Sequence, residues 1–372
     1  MKEAIIIGGG LAGLTCAIIL QKGGYEVALI EKKKYPFHRV CGEYISNEVL
    51  PFLESLNIRI SELQPSSLTQ LSVTSVSGKI LHASLPLGGF GLSRYKFDDL
   101  LFQHAEQLGV KFIFEKVIDV SFNEDTFKVS LSDNRIYESA ITIAAYGKRS
   151  NLDQKLKRRF FYHRSPYLGV KYHIKTDLPN NLIRLDNFQG GYCGVCKIEE
   201  DKYSLCYLSE TANLKKHADI KEMEEQVLFK NPHLKYLFKN SEFLFERPEV
   251  INEISFERKT LVEDHLLFCG DAAGMITPLC GNGMAIAIHS GKILAESILC
   301  LAKKDYTFNR STLENDYKQR WEKQFALRLK SGRLIQRLFG NTHISNLSVG
   351  ALSKLPSLTR LLVKKTHGKA FI

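Results

Sequence analysis

Residues 2–31, KEAIIIGGGLAGLTCAIILQKGGYEVALIE, decide the fold of this chain. The apolar run Lys2 to Ile7 predicts a buried strand, and the glycines within Gly8 to Gly13 predict a tight turn after it. Apolar residues at helical spacing predict a helix over Leu11 to Lys22. Glu26 to Ile30 predict the next strand, which ends at Glu31. This order of strand, glycine turn, helix and strand opens a doubly wound parallel sheet.

The glycines satisfy the Gly-x-Gly-x-x-Gly pattern that binds the pyrophosphate of a dinucleotide. Gly8 permits the tight turn, Gly10 lets the backbone approach a pyrophosphate, and Gly13 lets the helix pack closely against the strand. The helix N-terminus adds N–H donors and a positive dipole. Glu31 stands 18 residues beyond Gly13, where a ribose needs a carboxylate acceptor. An acid there favours a free 2′-hydroxyl, as in FAD or NAD, over NADP.

A second glycine motif, residues 268–273 FCGDAA, follows another short apolar run late in the chain. Asp271, directly after Gly270, stands at a strand end where it can accept a hydrogen bond from a ribityl hydroxyl. Gly281 and Gly283 then precede an apolar helix. Glycines there let the helix N-terminus approach a flavin ring, which carries negative charge when it is reduced. The second motif therefore selects FAD over NAD.

Together the two motifs resemble the para-hydroxybenzoate hydroxylase-type flavoprotein superfamily, whose second fingerprint is Gly-Asp-Ala followed by a proline, here Pro278, and Gly-x-Gly. The resemblance covers most of residues 1–300. It implies an α/β fold of two domains, with a Rossmann-like FAD-binding domain, an inserted β-sheet-rich substrate domain and a helical C-terminal tail. We assign residues 1–65, 91–155 and 262–305 to the FAD-binding domain, 66–90 and 156–261 to the substrate domain, and 306–372 to the tail.

Three shorter segments resemble the geranylgeranyl-reductase branch of that superfamily. They are the loop 37–43 FHRVCGE, the pair 93–94 SR and the strand 190–195 GGYCGV. The resemblance implies that Arg39 and Arg94 contact FAD and that backbone atoms of Val117 contact its adenine. It also implies that Tyr192 and Cys193 line the substrate cavity.

Two departures from the superfamily bear on the reaction. Hydroxylases have an Asp-Gly pair in a middle motif that serves FAD and the pyridine nucleotide, and here residues 145–150 AYGKRS place Tyr146 where the acid stands. The electron donor is therefore left open between NAD(P)H and a protein reductant. Flavin-dependent halogenases share the fold but carry a Trp-x-Trp-x-Ile-Pro motif. This chain, whose single tryptophan is Trp321, lacks that motif, so we exclude halogenation.

Composition indicates a soluble enzyme of two domains. The 372 residues exceed one ordinary core, and 44% hydrophobic and 24% charged residues are typical of globular enzymes. No stretch reaches the roughly 18 uninterrupted apolar residues that a membrane span needs. Eight cysteines without secretory features predict reduced thiols and a cytoplasmic location. We expect no metal, because Cys193 and Cys196 lack a second pair to complete a zinc site.

For the cysteines and histidines near the two motifs we expect structural roles. The family resemblance places Cys41 and Cys280 near the flavin ring, where we expect small buried side chains rather than redox partners. His38 and His289 lie near the two motifs in sequence, and we expect packing roles for both. The sequence names no catalytic acid or base.

The excess positive charge lies entirely in the C-terminal tail. The chain has a net charge of +11, and residues 302–372 alone hold 15 Lys and Arg against 4 Asp and Glu. From Asn315 onward, basic and apolar residues interleave at helical spacing. Two interpretations stay open: a helix across the FAD-binding domain with a solvated charged face, and a helix that meets an anionic membrane surface. We expect no nucleic-acid partner, since no recognition fold is present.

The sequence thus predicts an FAD-dependent oxidoreductase that acts on a hydrophobic small molecule, isoprenoid- or polyketide-like. Two chemistries fit: reduction of a carbon–carbon double bond, which the branch motifs favour, and monooxygenation, which the wider superfamily favours. The alternative is a flavin-binding electron-transfer protein that is reduced by a protein redox partner.

Overall fold

The computed structural model describes residues 3–163, 165–275, 281–302, 309–336, 340–366 and 368–372. In chain order its strands are β1 (Glu3–Ile7), β2 (Glu26–Ile30), β3 (Tyr44–Ser46), β4 (Ser66–Thr74), β5 (Ile80–Gly91), β6 (Lys111–Ile113), β7 (Val117–Asn123), β8 (Thr126–Leu131), β9 (Ile136–Ser139), β10 (Ile141–Ala144), β11 (Tyr167–Lys175), β12 (Leu182–Phe188), β13 (Gly191–Lys197), β14 (Tyr203–Glu210), β15 (Glu242–Phe243), β16 (Glu249–Ile254), β17 (Val262–Glu263) and β18 (Leu266–Phe268). Its α-helices are α1 (Leu11–Lys22), α2 (Leu50–Ser55), α3 (Arg94–Gln107), α4 (Asn151–Lys155), α5 (Thr211–Leu214), α6 (Ile220–Val227), α7 (Pro232–Asn240), α8 (Gly283–Leu301), α9 (Arg310–Gln336), α10 (Thr342–Leu352) and α11 (Pro356–Thr366).

The first two predicted strands lie at the centre of a sheet with the order β17-β18-β10-β1-β2-β6, which we call the parallel sheet. β1 pairs in parallel with β10 and β2, while β17 joins the edge antiparallel to β18. Ala4 and Ile6 pack in the core that contains α1 and α8, whereas Ile5 and Ile7 pack on the opposite face. Because both faces are covered, β1 is an uninterrupted apolar run after Glu3.

The β-rich middle of the chain forms a nine-stranded sheet, which we call the large sheet. Its order is β15-β11-β14-β13-β12-β4-β5-β3, with β16 paired to β11. β3 comes from the range 1–65 that we assigned to the FAD-binding domain, yet Tyr44 pairs with Gly91 of β5. A three-residue strand is too short to show an alternating pattern, so the sequence did not reveal it.

The large sheet has two faces with different coverings. Val170, Cys193 and Tyr207 point to the face that α6 and α7 cover. Paired residues share a face, which puts a second row on the other side: Lys171, Cys206, Gly194, Leu185 and Val73. We call this second side the inner face, because Lys171 on it contacts the loop that carries Glu43.

A third, three-stranded sheet has the order β7-β8-β9. Two consecutive strands near residue 140 join different sheets. β9 ends at Ser139 in this small sheet, and β10 starts at Ile141 in the parallel sheet. Periodicity cannot separate two consecutive strands that join different sheets. The predicted α/β fold with a helical C-terminal region is nevertheless confirmed.

The tail helices pack on the rest of the protein. Leu313, Tyr317, Trp321 and Phe325, spaced by four residues, form a buried stripe of α9 against α8. The hydroxyl group of Tyr317 donates to the carbonyl oxygen of Phe268 at 2.5 Å. α8 is long and apolar enough to cross a membrane by length and composition, but 67% of it is buried inside the protein, as in an ordinary core helix.

Candidate functional site

The carboxyl ends of the parallel strands meet at one edge of the parallel sheet, the place where folds of this type bind ligands. There β1 is followed by Gly8, β2 by Glu31, β10 by Ala145 and β18 by the turn at Gly270. The N–H group of Gly8 donates to the carbonyl oxygen of Ile30 at 2.8 Å, so the ends of β1 and β2 are hydrogen-bonded to each other. The fold therefore brings the two glycine motifs to one edge although they are far apart in sequence.

The first motif adopts the geometry that its glycines predict. Gly8 has a φ of +106°, and a Cβ there would lie 2.6 Å from the carbonyl oxygen of Ala145. A Cβ on Gly13 would lie 2.0 Å from the carbonyl oxygen of Gly8, so α1 packs tightly against the turn. At Gly10, among the described residues, an added Cβ would approach only Arg94, at 3.8 Å from Nη2. The space beside the backbone of Gly10 is therefore bounded by the Arg94 guanidinium group.

Glu31, Arg39, Asp98 and Arg94 form one chain of ion pairs along this edge. Arg39 Nη2 lies 3.2 Å from Glu31 Oε2, and its Nε lies 2.9 Å from Asp98 Oδ2. Arg94 makes two bonds to the same Asp98 carboxylate, at 2.6 and 2.7 Å. Glu31 also accepts the N–H group of Gly9 at 3.0 Å. The two predicted arginines are thus held by Asp98, which the sequence did not single out, although it follows the SR pair by four residues.

The second motif lies against the first. Gly270 has a φ of +62°, and a Cβ there would lie 2.7 Å from the Cβ of Ala12 in α1. Burial raises the pKa of Asp271, while the charges of Lys259, Arg94 and Lys148 oppose that rise. An acid placed beside three cations is suited to remain ionised and to accept hydroxyl donors.

Lys259 is a site residue that the sequence did not reveal. Its Nζ donates to the carbonyl oxygens of Lys148, at 2.6 Å, and of Asp271, at 2.8 Å. Burial lowers the pKa of Lys259 to about 8, against the opposing charge of Asp271. One buried ammonium group therefore ties the middle motif to the second glycine motif. A lone lysine in a loop carries no pattern that could have predicted this contact.

Gly281 and Gly283 stand at the start of α8. Gly281 has a φ of +64°, and a Cβ there would lie 2.8 Å from the ring of Tyr44. Gly283 is the first residue of the helix. Their neighbours in the motif, Pro278 and Cys280, lie outside the described residues.

Val117 begins β7 and packs with Ile7, Ile30 and Ile113. The carbonyl oxygen of Ile113 accepts the N–H group of Glu31 at 3.0 Å. Val117 therefore shares a cluster with Ile30, the residue before the acid predicted to bind the adenosine ribose.

A buried network around Glu43 joins this edge to the inner face of the large sheet. Glu43 accepts Lys171 Nζ at 2.5 Å, His173 Nε2 at 2.7 Å and the N–H group of Arg94 at 2.8 Å. Glu43 and Lys171 are both fully buried. Burial alone would raise the pKa of Glu43, but the charge of Lys171 and the bond from His173 hold it at about 2. A sequence pattern could have indicated this network. Lys171 and His173 are two residues apart, so they are polar residues on one face of an otherwise apolar strand.

The middle motif replaces the missing aspartate with a different network. The hydroxyl group of Tyr146 donates to Asp153 Oδ1 at 2.6 Å, and Arg158 Nη1 donates to the same oxygen at 2.9 Å. Arg158 also donates to the carbonyl oxygen of Ala272 at 3.0 Å. Tyr146 therefore hydrogen-bonds to the buried Asp153–Arg158 ion pair, and Arg158 of that pair contacts the second motif. Burial raises the pKa of Tyr146 well above its usual value.

The predicted substrate residues Tyr192 and Cys193 point in opposite directions, as adjacent residues of a strand must. Tyr192 lies on the inner face with Leu185 and Leu208. Cys193 packs instead against Met223 under α6. The prediction that Cys193 lines the substrate cavity is therefore corrected.

Two other cysteines, Cys196 and Cys206, occupy the inner face instead of Cys193. The thiol of Cys196 lies 3.4 Å from the carbonyl oxygen of Gly42. Burial raises the pKa of Cys41 in the same loop, as expected for an inert thiol. Cys193 and Cys196 cannot act as one CxxC pair, because their side chains leave the sheet on opposite sides.

The two histidines pack against aromatic rings. His38 stacks on Tyr95 with 4.7 Å between ring centroids, and burial lowers its pKa. His289 stacks on Phe371 at 3.8 Å, and burial lowers its pKa to about 3. Both side chains therefore have the packing surroundings that we expected.

These residues fit an FAD molecule laid along the edge. Like Gly10, Gly42 and Gly147 face open space, since no described atom lies within 4 Å of an added Cβ at either position. Backbone N–H groups of the first motif, with Arg39 and Arg94, would hold an anionic pyrophosphate, and Glu31 and Asp271 would accept hydrogen bonds from hydroxyl groups. FAD supplies the redox chemistry when it is bound, and the chain supplies its position and electrostatic surroundings.

Comparisons with known proteins agree with this geometry. A model of the FAD binding domain family matches residues 1–305. Protein FixC of Salmonella typhi is 28% identical over 356 residues, which cover 85% of this chain and 80% of FixC. Digeranylgeranylglycerophospholipid reductase 1 of Methanosphaera stadtmanae is 24% identical over 352 residues, which cover 87% of this chain and 81% of the reductase.

Among solved structures, flavin-dependent brominase Bmp2 superposes with a TM-score of 0.81 at 20% identity, covering 99% of this chain and 94% of Bmp2. The flavin-dependent halogenase CmlS has a TM-score of 0.77 at 20% identity, covering 88% of this chain and 63% of CmlS. At such identities the likeness shows the fold alone. With a family match over most of its length, this chain belongs to the FAD binding domain family and is an FAD-dependent oxidoreductase of the para-hydroxybenzoate hydroxylase type.

Proposed function

We propose that this oxidoreductase reduces carbon–carbon double bonds in a hydrophobic small molecule, isoprenoid- or polyketide-like. The observation that carries the proposal is an apolar cluster on the inner face of the large sheet. The cluster consists largely of aliphatic side chains, which offer no hydrogen-bond partner to a substrate: Val73, Leu81, Leu185, Leu208 and Ile254. Met275, four residues after Asp271, packs against it. The relative named as a digeranylgeranylglycerophospholipid reductase supports reduction over oxygenation.

In this proposal FAD is held by the residues that the motifs predicted: Gly8, Gly10, Gly13, Glu31, Arg39, Arg94, Val117, Gly270, Asp271, Gly281 and Gly283. When bound, FAD would supply a hydride equivalent, and the proton for the neighbouring carbon would have to come from another donor. Glu43 is unsuited to that task, because its pKa of about 2 keeps it ionised at neutral pH. It positions Arg94 and the loop of Cys41 instead.

A second candidate is the electron-transfer protein, and Tyr146 is the observation that favours it. The middle motif that serves a pyridine nucleotide in hydroxylases is here occupied by the Tyr146–Asp153–Arg158 network. A chain without that docking motif is suited to a protein reductant. This candidate predicts slow reduction by NADPH and fast reduction by a ferredoxin or flavodoxin.

The test begins with purified protein, which should be yellow and hold one non-covalent FAD per chain. The flavin is reduced anaerobically with dithionite and mixed separately with a polyprenyl lipid in detergent and with O₂. Lipid-dependent reoxidation and a product that gains two hydrogen atoms per double bond support the proposal. A product that gains an oxygen atom indicates monooxygenation instead. Reoxidation only by a protein partner supports the second candidate.

A matched pair of variants locates the substrate. Leu185→Glu places a charge on the inner face, where Leu185 is 9% exposed. Ile136→Glu places the same charge on the small sheet, where Ile136 is 61% exposed. We expect the first variant to lose lipid-dependent reoxidation while its visible flavin spectrum stays intact, and the second to behave as wild type. Equal activity of both variants would show that the substrate does not bind at the inner face.

A further inference from the structure

The outward side of α9 carries a stripe in which leucines and lysines alternate. Lys323, Leu327, Lys330 and Leu334 follow one another at intervals of four, three and four residues, so they share one side of the helix. Leu327 is 76% exposed and Leu334 is 65% exposed. The opposite side of α9 is the buried stripe that packs on α8. The helix is therefore apolar on two sides, and only one of them packs against other described residues.

The next two helices also bury some apolar side chains and expose others. On α10, Ile344 is 43% exposed and Leu347 is 75% exposed. Leu355, just before α11, and Leu358, within it, are 51% and 42% exposed. Val349 of α10, by contrast, packs into the inner-face cluster.

Single exposed apolar side chains are ordinary, but a cluster of them marks an interaction site. Six of the fifteen strongly exposed large apolar side chains among the described residues lie between Leu327 and Leu358. We call these six the outer leucine cluster: Leu327, Leu334, Ile344, Leu347, Leu355 and Leu358. They occupy a short segment of a long chain, so chance exposure is a poor explanation.

The charge around the outer leucine cluster identifies the kind of partner. After Glu322 the chain holds ten Lys and Arg and no Asp or Glu. Of those whose side chains the structure describes, Arg328 is the buried exception, and it pairs with Glu48 at 2.8 Å. Lys323, Lys330 and Arg333 are exposed beside the leucines. Exposed leucines among basic residues match the acyl boundary and anionic headgroups of a bilayer, whereas a second copy of the same cationic face would be repelled.

We propose that the outer leucine cluster and its flanking cations dock this enzyme onto an anionic membrane surface. The inference rests on the proposed function in one respect: it accounts for how a water-insoluble substrate reaches the inner face. α10 and α11 touch that face from their other side, where Val363 packs with Tyr44 and Cys196. The N–H group of Gly190 donates to Gly340 at 2.7 Å, which fixes the tail to the turn before β13. The same helices thus contact both the bilayer and the substrate-binding sheet.

Vesicle flotation of the full-length FAD-loaded protein tests the proposal. The vesicles consist of phosphatidylcholine alone or of phosphatidylcholine with phosphatidylglycerol. We expect binding to the anionic vesicles only, and weaker binding as salt rises, since the Debye length is about 10 Å at 0.1 M and about 3 Å at 1 M. Binding to both vesicle types alike, or to neither, overturns the proposal.

Two sets of variants localise the contact. Lys323→Glu with Lys330→Glu should lower vesicle affinity by about a hundredfold or more, because each reversal replaces an attraction by a repulsion. Leu327→Ser with Leu347→Ser should also lower it at least about tenfold. The matched controls are Lys235→Glu with Lys239→Glu on α7, and Ile136→Ser on the small sheet. Controls that lose binding as much as the tail variants overturn the assignment of the face.

Two further measurements separate this inference from the others. Sedimentation velocity reports the oligomeric state, and a dimer that the leucine variants dissociate would make the face a contact between copies, which overturns the proposal. Turnover of a lipid in detergent needs no vesicle. If the tail variants keep turnover in detergent and lose vesicle binding, the proposed function and the membrane-docking proposal are both supported. If wild type binds vesicles but reduces no lipid, the proposed function fails and the docking surface remains.

Discussion

The buried Glu43–Lys171 pair permits a quantitative prediction for Lys171→Met. Methionine nearly matches the volume of the lysine side chain but carries no charge. The substitution leaves the Glu43 carboxylate fully buried without its cation, while His173 and the N–H group of Arg94 remain as its hydrogen-bond donors. The expected result is a large loss of stability at neutral pH.

Two arguments give the same magnitude. The pKa of Glu43 falls from an ordinary 4.5 to about 2 in the folded protein, and that difference corresponds to about 3 kcal/mol of folding free energy. Breaking a buried ion pair by removing one partner costs about 3–5 kcal/mol. The sign follows from the direction of the shift. A depressed carboxyl pKa contributes stability that is present above pH 4.5 and is lost as the pH falls through about 2.

The assay is urea unfolding at pH 7 with saturating FAD, followed by far-UV circular dichroism and by flavin fluorescence. Lys175→Met is the matched control, because Lys175 lies on the same strand in an exposed pair with Glu242 at 3.4 Å. It should change stability by less than about 0.5 kcal/mol. The double variant Lys171→Met with Glu43→Gln should recover part of the loss, since it removes the unpaired charge. If Lys171→Met costs no more than Lys175→Met, the reasoning is refuted.

Three more predictions concern other buried charges. Glu31→Gln removes the charged acceptor of Arg39 and should raise the dissociation constant of FAD about tenfold or more in a fluorescence titration; an unchanged constant would place this acid away from the cofactor. Lys259→Met should also weaken FAD binding, by roughly fivefold or more, because two carbonyl oxygens lose their shared donor. Wild-type affinity in that variant would show that the tie to Asp271 is dispensable. Burial raises the pKa of Glu224 to about 7, so its stabilising protonated form is fully present below pH 4.5 and lost as the pH rises through 7. Glu224→Gln should therefore have a higher free energy of unfolding than wild type at pH 8.5, by up to about 3 kcal/mol, and the same value as wild type at pH 4.5, as measured by urea unfolding; the same difference at both pH values would contradict the assignment.

The cofactor-binding edge was predictable because its signals are local. Gly8, Gly13 and Glu31 are read within one strand–turn–helix–strand unit, where backbone geometry decides which residue types fit. Gly270 and Asp271 form a second local unit of the same kind. Each motif by itself indicates which part of FAD it binds. The two motifs are expected at one edge of the sheet because the carboxyl ends of parallel strands lie together.

The substrate side was less predictable because it depends on faces and partners. The segment 190–195 resembled a substrate strand, but only its pairing showed that Tyr192 faces inward and Cys193 outward. Likewise, the interleaved charges of the tail left two interpretations open. The structure shows that α9 buries one apolar stripe and exposes another, so the packing role is observed and the membrane role stays a prediction.

By itself, the sequence determined the doubly wound fold, the choice of FAD and the uneven charge of the tail, since glycine geometry, local periodicity and composition need no distant contacts. Only the tertiary structure decided which buried charges meet. Glu43 with Lys171, Asp98 with Arg39, and Lys259 with the carbonyl oxygen of Lys148 are contacts between segments far apart in the chain. No spacing rule connects such segments, because their approach depends on how whole sheets and helices pack.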